Sequence, residues 1–364
     1  MDNDCNNTEA SASPPPRALV LGAFASVYVV WGSTYLAMRV AIETLPPFLM
    51  AGCRFLVAGG VLFAVLRLRG APPPGKAHWR NAWISGFLLL VSGNGLVVWA
   101  EQTVPSGLTA LLIGLTPAWF ALMDWLRPGG PKPHTRTLLG ILVGFGGVVL
   151  LVSPRGAAAH GAPLNAWGVS ALILAGISWA AGSLFSKHNS NGQSPWMTAA
   201  LQMLCGGATL LLLALPAGEF KGAHADAVSM QSAIALLYLI VFGSWIGFSA
   251  YVWILKVSKP AHVATYAYVN PVIALFLGRM LLGEELNARV FLAAAIILAG
   301  VVIITLPKNP FAGALRWNDG ARGAVRRVRA LPPARGLQSL CEKWVERATR
   351  PFRSASRRPE ELDD

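Results

Sequence analysis

Charge is scarce in this chain. Asp, Glu, Lys and Arg make up 13% of its 364 residues, where soluble domains usually carry about 25%. Acids are the rarer sign, 17 against 30 Lys and Arg. Cysteine is scarce as well. Cys5, Cys53, Cys205 and Cys341 stand far apart without metal-ligand spacing, which removes a disulfide framework or a zinc site as the organising device. The six histidines (His78, His134, His160, His188, His224 and His262) fall mostly at joints between apolar runs, so no buried histidine cluster is expected. No GxxxxGK[ST], HExxH or GxSxG string occurs. An ATP-driven pump in one chain, a zinc protease and a serine hydrolase therefore all lack their chemistry. No catalytic residue, metal or cofactor is assigned.

What fills the chain instead is apolar sequence. Hydrophobic residues make up 54%, with 37 Gly and 13 Trp. Gly is commoner in membrane helices than in soluble ones, and Trp favours the membrane interface. From Leu19 to Leu306 the sequence is a series of apolar runs about 20 residues long, the length that crosses a bilayer core. A soluble helical protein would need polar faces at 3.6-residue spacing, and most of these runs have none. Ten spans are predicted, at 18–38, 46–66, 82–100, 104–125, 136–153, 166–186, 195–215, 230–254, 261–281 and 289–306. The first is read as a retained helix, because it follows the polar start directly and is too long for a cleaved signal. The expected fold is all-α, a polytopic membrane protein of ten transmembrane helices.

Lys and Arg set the expected orientation. With the N-terminus inside, the cytoplasmic side receives 11 basic residues between Arg17 and Lys259, and the opposite side receives 5, Arg39, Arg155, Lys221, Arg279 and Arg289. Ten spans return the tail to the cytoplasm. That tail, 307–364, holds 13 basic and 7 acidic residues. A basic protein invites a nucleic-acid reading, but Arg326-Arg327-Val328-Arg329 and Arg357-Arg358 on a membrane-anchored tail are explained by solvation, topology and contact with anionic lipid. Leu337, Leu340, Trp344, Val345 and Ala348 form at best one weak apolar face, and the tail reads as largely disordered.

The two halves of the chain repeat. Trp31 precedes Pro47-Phe48-Leu49-Met50-Ala51, then Arg54 and Gly59; Trp179 precedes Pro195-Trp196-Met197-Thr198-Ala199, then Gln202 and Gly207, all at an offset of 148. Later, Trp99 answers Trp253 and Pro117 answers Pro271 at 154, while Arg136 answers Arg289 and Gly147 answers Gly300 at 153. Five spans per copy is an odd number, so the second copy enters the membrane from the other side. That is an inverted repeat, an arrangement found in many secondary transporters.

These segments resemble the drug/metabolite transporter superfamily, specifically its ten-helix exporters with two EamA domains, and within it bacterial inner-membrane proteins of the YedA type. The residues carrying the resemblance are VVWGSTYLAMRVAIETLPPFLMAGCRFLVAGG from Val29, GNGLVVWAEQTVPSGLTALL from Gly93, ISWAAGSLFSK from Ile177 and HVATYAYVNPVIALFLGRMLLGEEL from His262. The resemblance implies a polar cytoplasmic start at 1–17, EamA repeats at 18–153 and 166–306, a basic tail, and a plasma-membrane carrier whose central cavity is lined from both repeats. One departure concerns gating. Gly283-Glu284-Glu285 follows the fourth helix of the second copy, while the first copy reads Arg127-Pro128-Gly129-Gly130, with no carboxylate.

Several polar residues lie where lipid would not tolerate them. A charge at mid-bilayer costs at least ~2.5–3.5 kcal/mol, so Arg54 must face protein or water. It is either a clamp for a substrate anion or a permanent partner of a helix-end carbonyl or an acid. Gln202 stands at its place in the second copy. Glu101, the lone acid at the third joint, is either a buried group that loads and releases a proton or a solvated turn carboxylate capping the next helix. Ser33, in the Trp31-Gly32-Ser33 stretch, joins the candidate cavity polar residues. Asn94, Tyr266 and Asn270 are either substrate ligands or helix–helix glue, and Tyr266 and Asn270, four apart, share a helix face. Pro117 and Pro271 are expected to kink their helices. Trp31, Trp99, Trp179 and Tyr251 are candidates for an aromatic cavity wall.

The function expected is secondary active export of small metabolites or drugs, amino-acid-like or amphipathic, by alternating access across the bacterial inner membrane, coupled to protons. A substrate/substrate exchanger is the alternative, with a membrane-embedded enzyme, channel or scaffold behind it. Nucleic acid is not an expected partner. Monomer and homodimer are equally compatible with the sequence.

Overall fold

The computed structural model describes residues 16–126, 134–152, 165–189, 191–222, 227–258, 263–284 and 286–305. The expectations for 1–15, for the 127–130 joint, for His262 and for the tail lie outside these residues. All regular structure among the described residues is helical.

Ten helical rods follow one another: α1 (Arg17–Ala41), α2 (Pro47–Leu68), α3 (Lys76–Ala100), α4 (Ser106–Leu126), α5 (Thr135–Val152), α6 (Ala166–His188), α7 (Pro195–Ala214), α8 (Met230–Val257), α9 (Tyr266–Leu282) and α10 (Ala288–Thr305). Seven of them (α1, α2, α3, α4, α6, α7 and α8) are long and apolar enough to cross a membrane, and α5, α9 and α10 are shorter apolar helices. The protein is an all-α, polytopic membrane protein. Its outer surface agrees with that. Leu21, Val29, Leu142, Val149, Phe276 and Phe291 are among the large apolar side chains left exposed. In water they would form patches that monomeric proteins avoid; in lipid they are solvated.

Local chemistry explains many of the ends. Pro47 and Pro195 stand at the first turns of α2 and α7, where a missing N–H costs nothing. Gly70 just beyond α2 and Gly283 just beyond α9 adopt φ of +85° and +65°, the left-handed exit that glycine makes cheaply. Two rods unwind in the middle. Phe87–Gly95 in α3 and Leu239–Phe248 in α8 are π-helical. Both stretches hold Gly and Ser among apolar residues, and both lie at matching places in the two halves. α4 breaks at Gly114-Leu115, between Ser106–Ile113 and Thr116–Leu126.

The core depends on helices approaching closely. α2 crosses α7 at glycines. A methyl on Gly59 would fall 2.8 Å from Met203 Cβ, and one on Gly207 would fall 2.8 Å from the Leu56 backbone nitrogen. α5 crosses α10 the same way, where a methyl on Gly300 would meet the Gly144 nitrogen at 2.5 Å. Lipid offers helices no hydrophobic drive to associate, so van der Waals contact at small residues holds them.

Two ends of the bundle are defined by contacts between joints. At one, the Arg39 guanidinium donates to the Glu101 carbonyl, Ser229 N–H donates to Thr44 (3.2 Å), and Arg289 donates to the Leu150 carbonyl (3.0 Å). At the other, Asn81 donates to the Asn189 carbonyl (2.8 Å), Lys187 to the Ser258 carbonyl (2.7 Å) and Lys256 to the Gln193 carbonyl (2.6 Å). Glu43, Glu101, Glu219 and Glu284 gather at the first end, while Arg67, Arg69, Lys76 and Arg80 belong to the second.

Candidate functional site

A cavity lies inside the bundle, lined by side chains from several helices. α1 contributes Trp31, Thr34, Tyr35 and Met38; α2 contributes Arg54 and Phe55; α3 contributes Leu90, Gly93, Asn94 and Val97. Trp179 of α6, Gly243 and Phe248 of α8, and Tyr266 of α9 complete the wall. Both halves of the chain therefore line it.

Trp31 is the hub of an aromatic cluster. Its ring lies 5.4 Å from Trp179 and 5.5 Å from Tyr266, both edge to face, and 4.9 Å from Tyr251. Such geometry suits the ring quadrupoles. The indole N–H groups are already committed. Trp31 Nε1 donates to the Gly243 carbonyl (3.2 Å), inside the π-helical stretch of α8, and Trp179 Nε1 donates to the Tyr251 hydroxyl (3.0 Å). Ser183 holds that same hydroxyl at 2.6 Å. Tyr251 is fully buried behind the wall.

Arg54 reaches into this space. It is only 3% exposed. Its Nε donates to Ser244 Oγ (2.7 Å) in α8, and its guanidinium carbon sits 4.8 Å from the Phe55 ring centre. Nη1 is buried and makes no hydrogen bond. Gly243, beside it, leaves room that a side chain would occupy, since a methyl there would lie 2.8 Å from Nη2. Asn94 offers the complementary group: its Nδ2 points at Met38 Sδ (3.8 Å), and its Oδ1 is buried without a partner. Arg54 thus donates to a side-chain hydroxyl rather than to a helix-end carbonyl, interacts with the charge of the nearby acid Glu101 without a hydrogen bond to it, and keeps donor capacity to spare.

Glu101 sits in the joint after α3, outside the membrane-spanning segments. It is fully buried, and neither carboxylate oxygen makes a hydrogen bond. It does not cap the next helix. Glu284 does that instead, accepting from Ser106 N–H (2.8 Å), Ser106 Oγ (2.7 Å) and Gly107 N–H (3.1 Å) at the start of α4. The solvated-cap alternative for Glu101 is thereby removed, because desolvated oxygens without donors are the opposite of a solvated cap. Burial, the largest influence, holds its carboxyl well above the ordinary range; Arg39 pulls it down, Glu284 pushes it further up and Arg54 pulls it down.

The other sequence candidates are placed apart. Gln202 is fully buried in a separate small cleft with Asn81, Ser85, Ser186, Asn189 and Thr198. Its Nε2 donates to Ser85 Oγ and Ser186 Oγ, both at 2.8 Å. Ser33 turns from the cavity to the Val30 carbonyl (2.7 Å) and the Tyr238 hydroxyl (2.6 Å). Trp99 packs against the core without lining the cavity. Asn270, 2% exposed, donates its amide to the Tyr28 carbonyl (3.0 Å) and the Tyr266 carbonyl (3.2 Å), so it joins helices. Pro117 follows the break in α4; the Ile113 carbonyl, deprived of its usual N–H donor, receives Thr116 Oγ1 at 2.5 Å. Pro271 lies inside α9, which runs on across it, and packs near Gly114 at that break.

Thr34, Tyr35 and Ser244 were not singled out from the sequence. Their signals are weak: Thr34 and Tyr35 lie one turn beyond Trp31, and Ser244 lies in the Gly-Ser pair of α8. Glu219 was missed too. It accepts from Phe48 N–H (3.2 Å) and Leu49 N–H (2.7 Å) at the start of α2, the same use of a carboxylate on a helix N-terminus as Glu284 makes on α4. Among the described residues no group of His, Cys, Asp and Glu could hold a metal ion.

A membrane bundle around an aromatic cavity, with Arg54 the one charge among the described lining residues, fits a carrier's architecture. Comparison with known proteins assigns it: residues 18–153 and 166–306 match the EamA-like transporter family, and the chain belongs to that family. It is similar to the inner membrane transporter YedA of Escherichia coli (strain K12), with 38% identity over 293 residues, 80% of this chain and 92% of YedA. It is also similar to the transporter YvbV of Bacillus subtilis (strain 168), with 26% identity covering 85% of this chain and 98% of YvbV. A crystal structure at 21% sequence identity shares the fold with a TM-score of 0.58, covering 80% of this chain and 98% of the other. The protein is a membrane transporter of the EamA-like family.

Proposed function

We propose that the protein is a secondary active exporter of the bacterial inner membrane that moves small amphipathic metabolites by alternating access. In this reading all ten rods span the bilayer as two inverted five-helix repeats, 18–153 and 166–306, with both termini cytoplasmic. α5, α9 and α10 are short, but they are apolar and pack within the same bundle. The basic tail lies against anionic lipid. The observation that carries the reading is the central cavity, walled from both halves and holding one buried guanidinium with an uncommitted nitrogen.

Coupling to protons rests on Glu101. A buried carboxyl without donors favours its neutral form, and exposure to water on one side of the cycle would let it ionise. Its joint is at the same end as the Glu219 and Glu284 contacts, which hold the starts of α2 and α4. Opening that end requires breaking those contacts, which links helix movement to the surroundings of Glu101.

The test is efflux from proteoliposomes loaded with a mixed metabolite pool, with and without an imposed pH gradient. Gradient-driven loss of particular compounds is expected from the intact protein, with gradient dependence lost in Glu101→Gln. A conductance that needs no gradient and no gating would overturn the exporter reading. Flux that needs a counter-substrate but ignores pH would replace proton coupling with exchange.

A further inference from the structure

We infer that the central cavity is built for organic monoanions: an aromatic or branched apolar body bearing one carboxylate and no cationic group. The inference rests on the reading that this cavity is the substrate site, and it names the chemistry that site prefers. Three observations carry it.

The first is charge. Arg54 is the one charged side chain among the described lining residues, and no carboxylate lines the wall. A cationic ligand would meet a like charge at short range in a medium that screens poorly. A zwitterion would place its ammonium where no anion receives it. An anion meets a guanidinium whose desolvation is already spent.

The second is donor accounting. The indole N–H groups of Trp31 and Trp179 are used within the protein, and Arg54 Nε is used by Ser244. Arg54 Nη1 is the buried donor left over, and Asn94 Oδ1 is the buried acceptor left over. A carboxylate satisfies the first by a charge-assisted hydrogen bond. A neutral hydroxyl or amide N–H on the ligand satisfies the second. Unpaired buried groups are costly, so a ligand that supplies both partners gains from each.

The third is the wall. With their N–H groups engaged, Trp31 and Trp179 present ring surface rather than donors, and Phe55, Leu90, Val97 and Phe248 add apolar surface. That surface fits a ring or branched chain.

Matched probes test this without flux. The full chain in detergent micelles is titrated by calorimetry at pH 7 with 3-phenylpropionate, 3-phenylpropionamide, 3-phenylpropylamine and phenylalanine. The acid is expected to bind at least about tenfold more tightly than the other three, about 1.4 kcal/mol. Arg54→Gln is expected to remove that preference while leaving the amide's affinity within about threefold, and Arg54→Lys to retain part of it. Asn94→Asp, which places a carboxylate in the wall, is expected to shift the preference toward the amine. Equal or tighter binding of the amine or phenylalanine by the intact protein overturns the inference. So does an acid preference that survives Arg54→Gln, or an acid that shows no saturable binding. Acid binding with this preference but no gradient-driven efflux would instead sink the exporter reading and leave the site's chemistry standing.

Discussion

Arg54 and Gln202 stand at matching places in α2 and α7, 148 residues apart, and the structure puts them to different uses. Arg54 lines the central cavity and has a spare donor; Gln202 lines the separate cleft, uses its Nε2 to tie α7 to Ser85 of α3 and Ser186 of α6, and keeps its Oε1 unpaired. Each side chain reaches toward the π-helix-bearing rod of the opposite half, Arg54 to α8 and Gln202 to α3. The framework has therefore been kept while the chemistry has diverged. One half carries the charge that a ligand can use. The other carries a neutral amide that two hydroxyls accept from, which is a way of joining helices. A repeated position predicts a repeated location in the fold, but not a repeated role.

The sharpest way to break this comparison is to exchange roles. Arg54→Gln should lower gradient-driven efflux at least about tenfold, since it removes the one charge among the described lining residues, a loss of about 1.4 kcal/mol or more in the bound state. Gln202→Leu should leave efflux within about threefold and instead lower stability by about 1–2 kcal/mol as two buried hydrogen bonds are lost. Parallel flux and thermal-unfolding measurements on the two variants decide it. Equal loss of flux from both would mean that the cleft also handles substrate.

A next test concerns the part both halves share, the glycine crossings. Gly300→Val places a side chain against the Gly144 backbone, where even a methyl has no space, and overpacking of this kind costs about 1–3 kcal/mol. Gly22→Ala, inside α1 at a position open within 4 Å, should leave the unfolding midpoint unchanged or raise it slightly. A Gly300→Val protein as stable as the parent would show that α5 and α10 are free to separate.

Glu101 has a pH signature of its own. Its folded-state carboxyl titrates above the unfolded value, so the folded protein holds the proton more tightly. The stabilisation is present below the unfolded pKa and is lost as pH rises toward the folded one. Glu101→Gln removes that loss. Its melting temperature should match the parent near pH 4.5 and exceed it by a margin that widens toward pH 8. A constant margin across that range would remove Glu101 as a proton-binding group. The smallest effect is expected at Ser33, whose hydroxyl meets Tyr238 away from the cavity. Ser33→Ala should cost about 1 kcal/mol or less with efflux unchanged.

The architecture was largely legible before any tertiary contact was known, because its causes are local. A bilayer demands apolar runs of a set length, prolines and glycines mark the starts and stops, and positions of α2, α7, α5 and α10 can be read directly from residues such as Pro47, Pro195, Gly147 and Gly300. Arg54, Trp31, Trp179 and Tyr266 were legible as candidates because a charge or a paired aromatic within an apolar run calls for an explanation. Their assembly around one cavity was not. Nor was the separation of Gln202, Ser33 and Asn270 from it, or the choice of Glu284 rather than Glu101 to cap α4. Those depend on which helix faces which, and that is set by side chains hundreds of positions apart, such as Arg54 with Ser244 or Tyr28 with Thr265. The sequence by itself determined an all-helical membrane chain with a repeated plan and the few polar groups that lipid cannot solvate. Tertiary structure alone decided which of those groups are spent on one another and which keep a hydrogen bond unmade for a ligand, because a buried donor's partner is a matter of position in space and not of spacing along the chain.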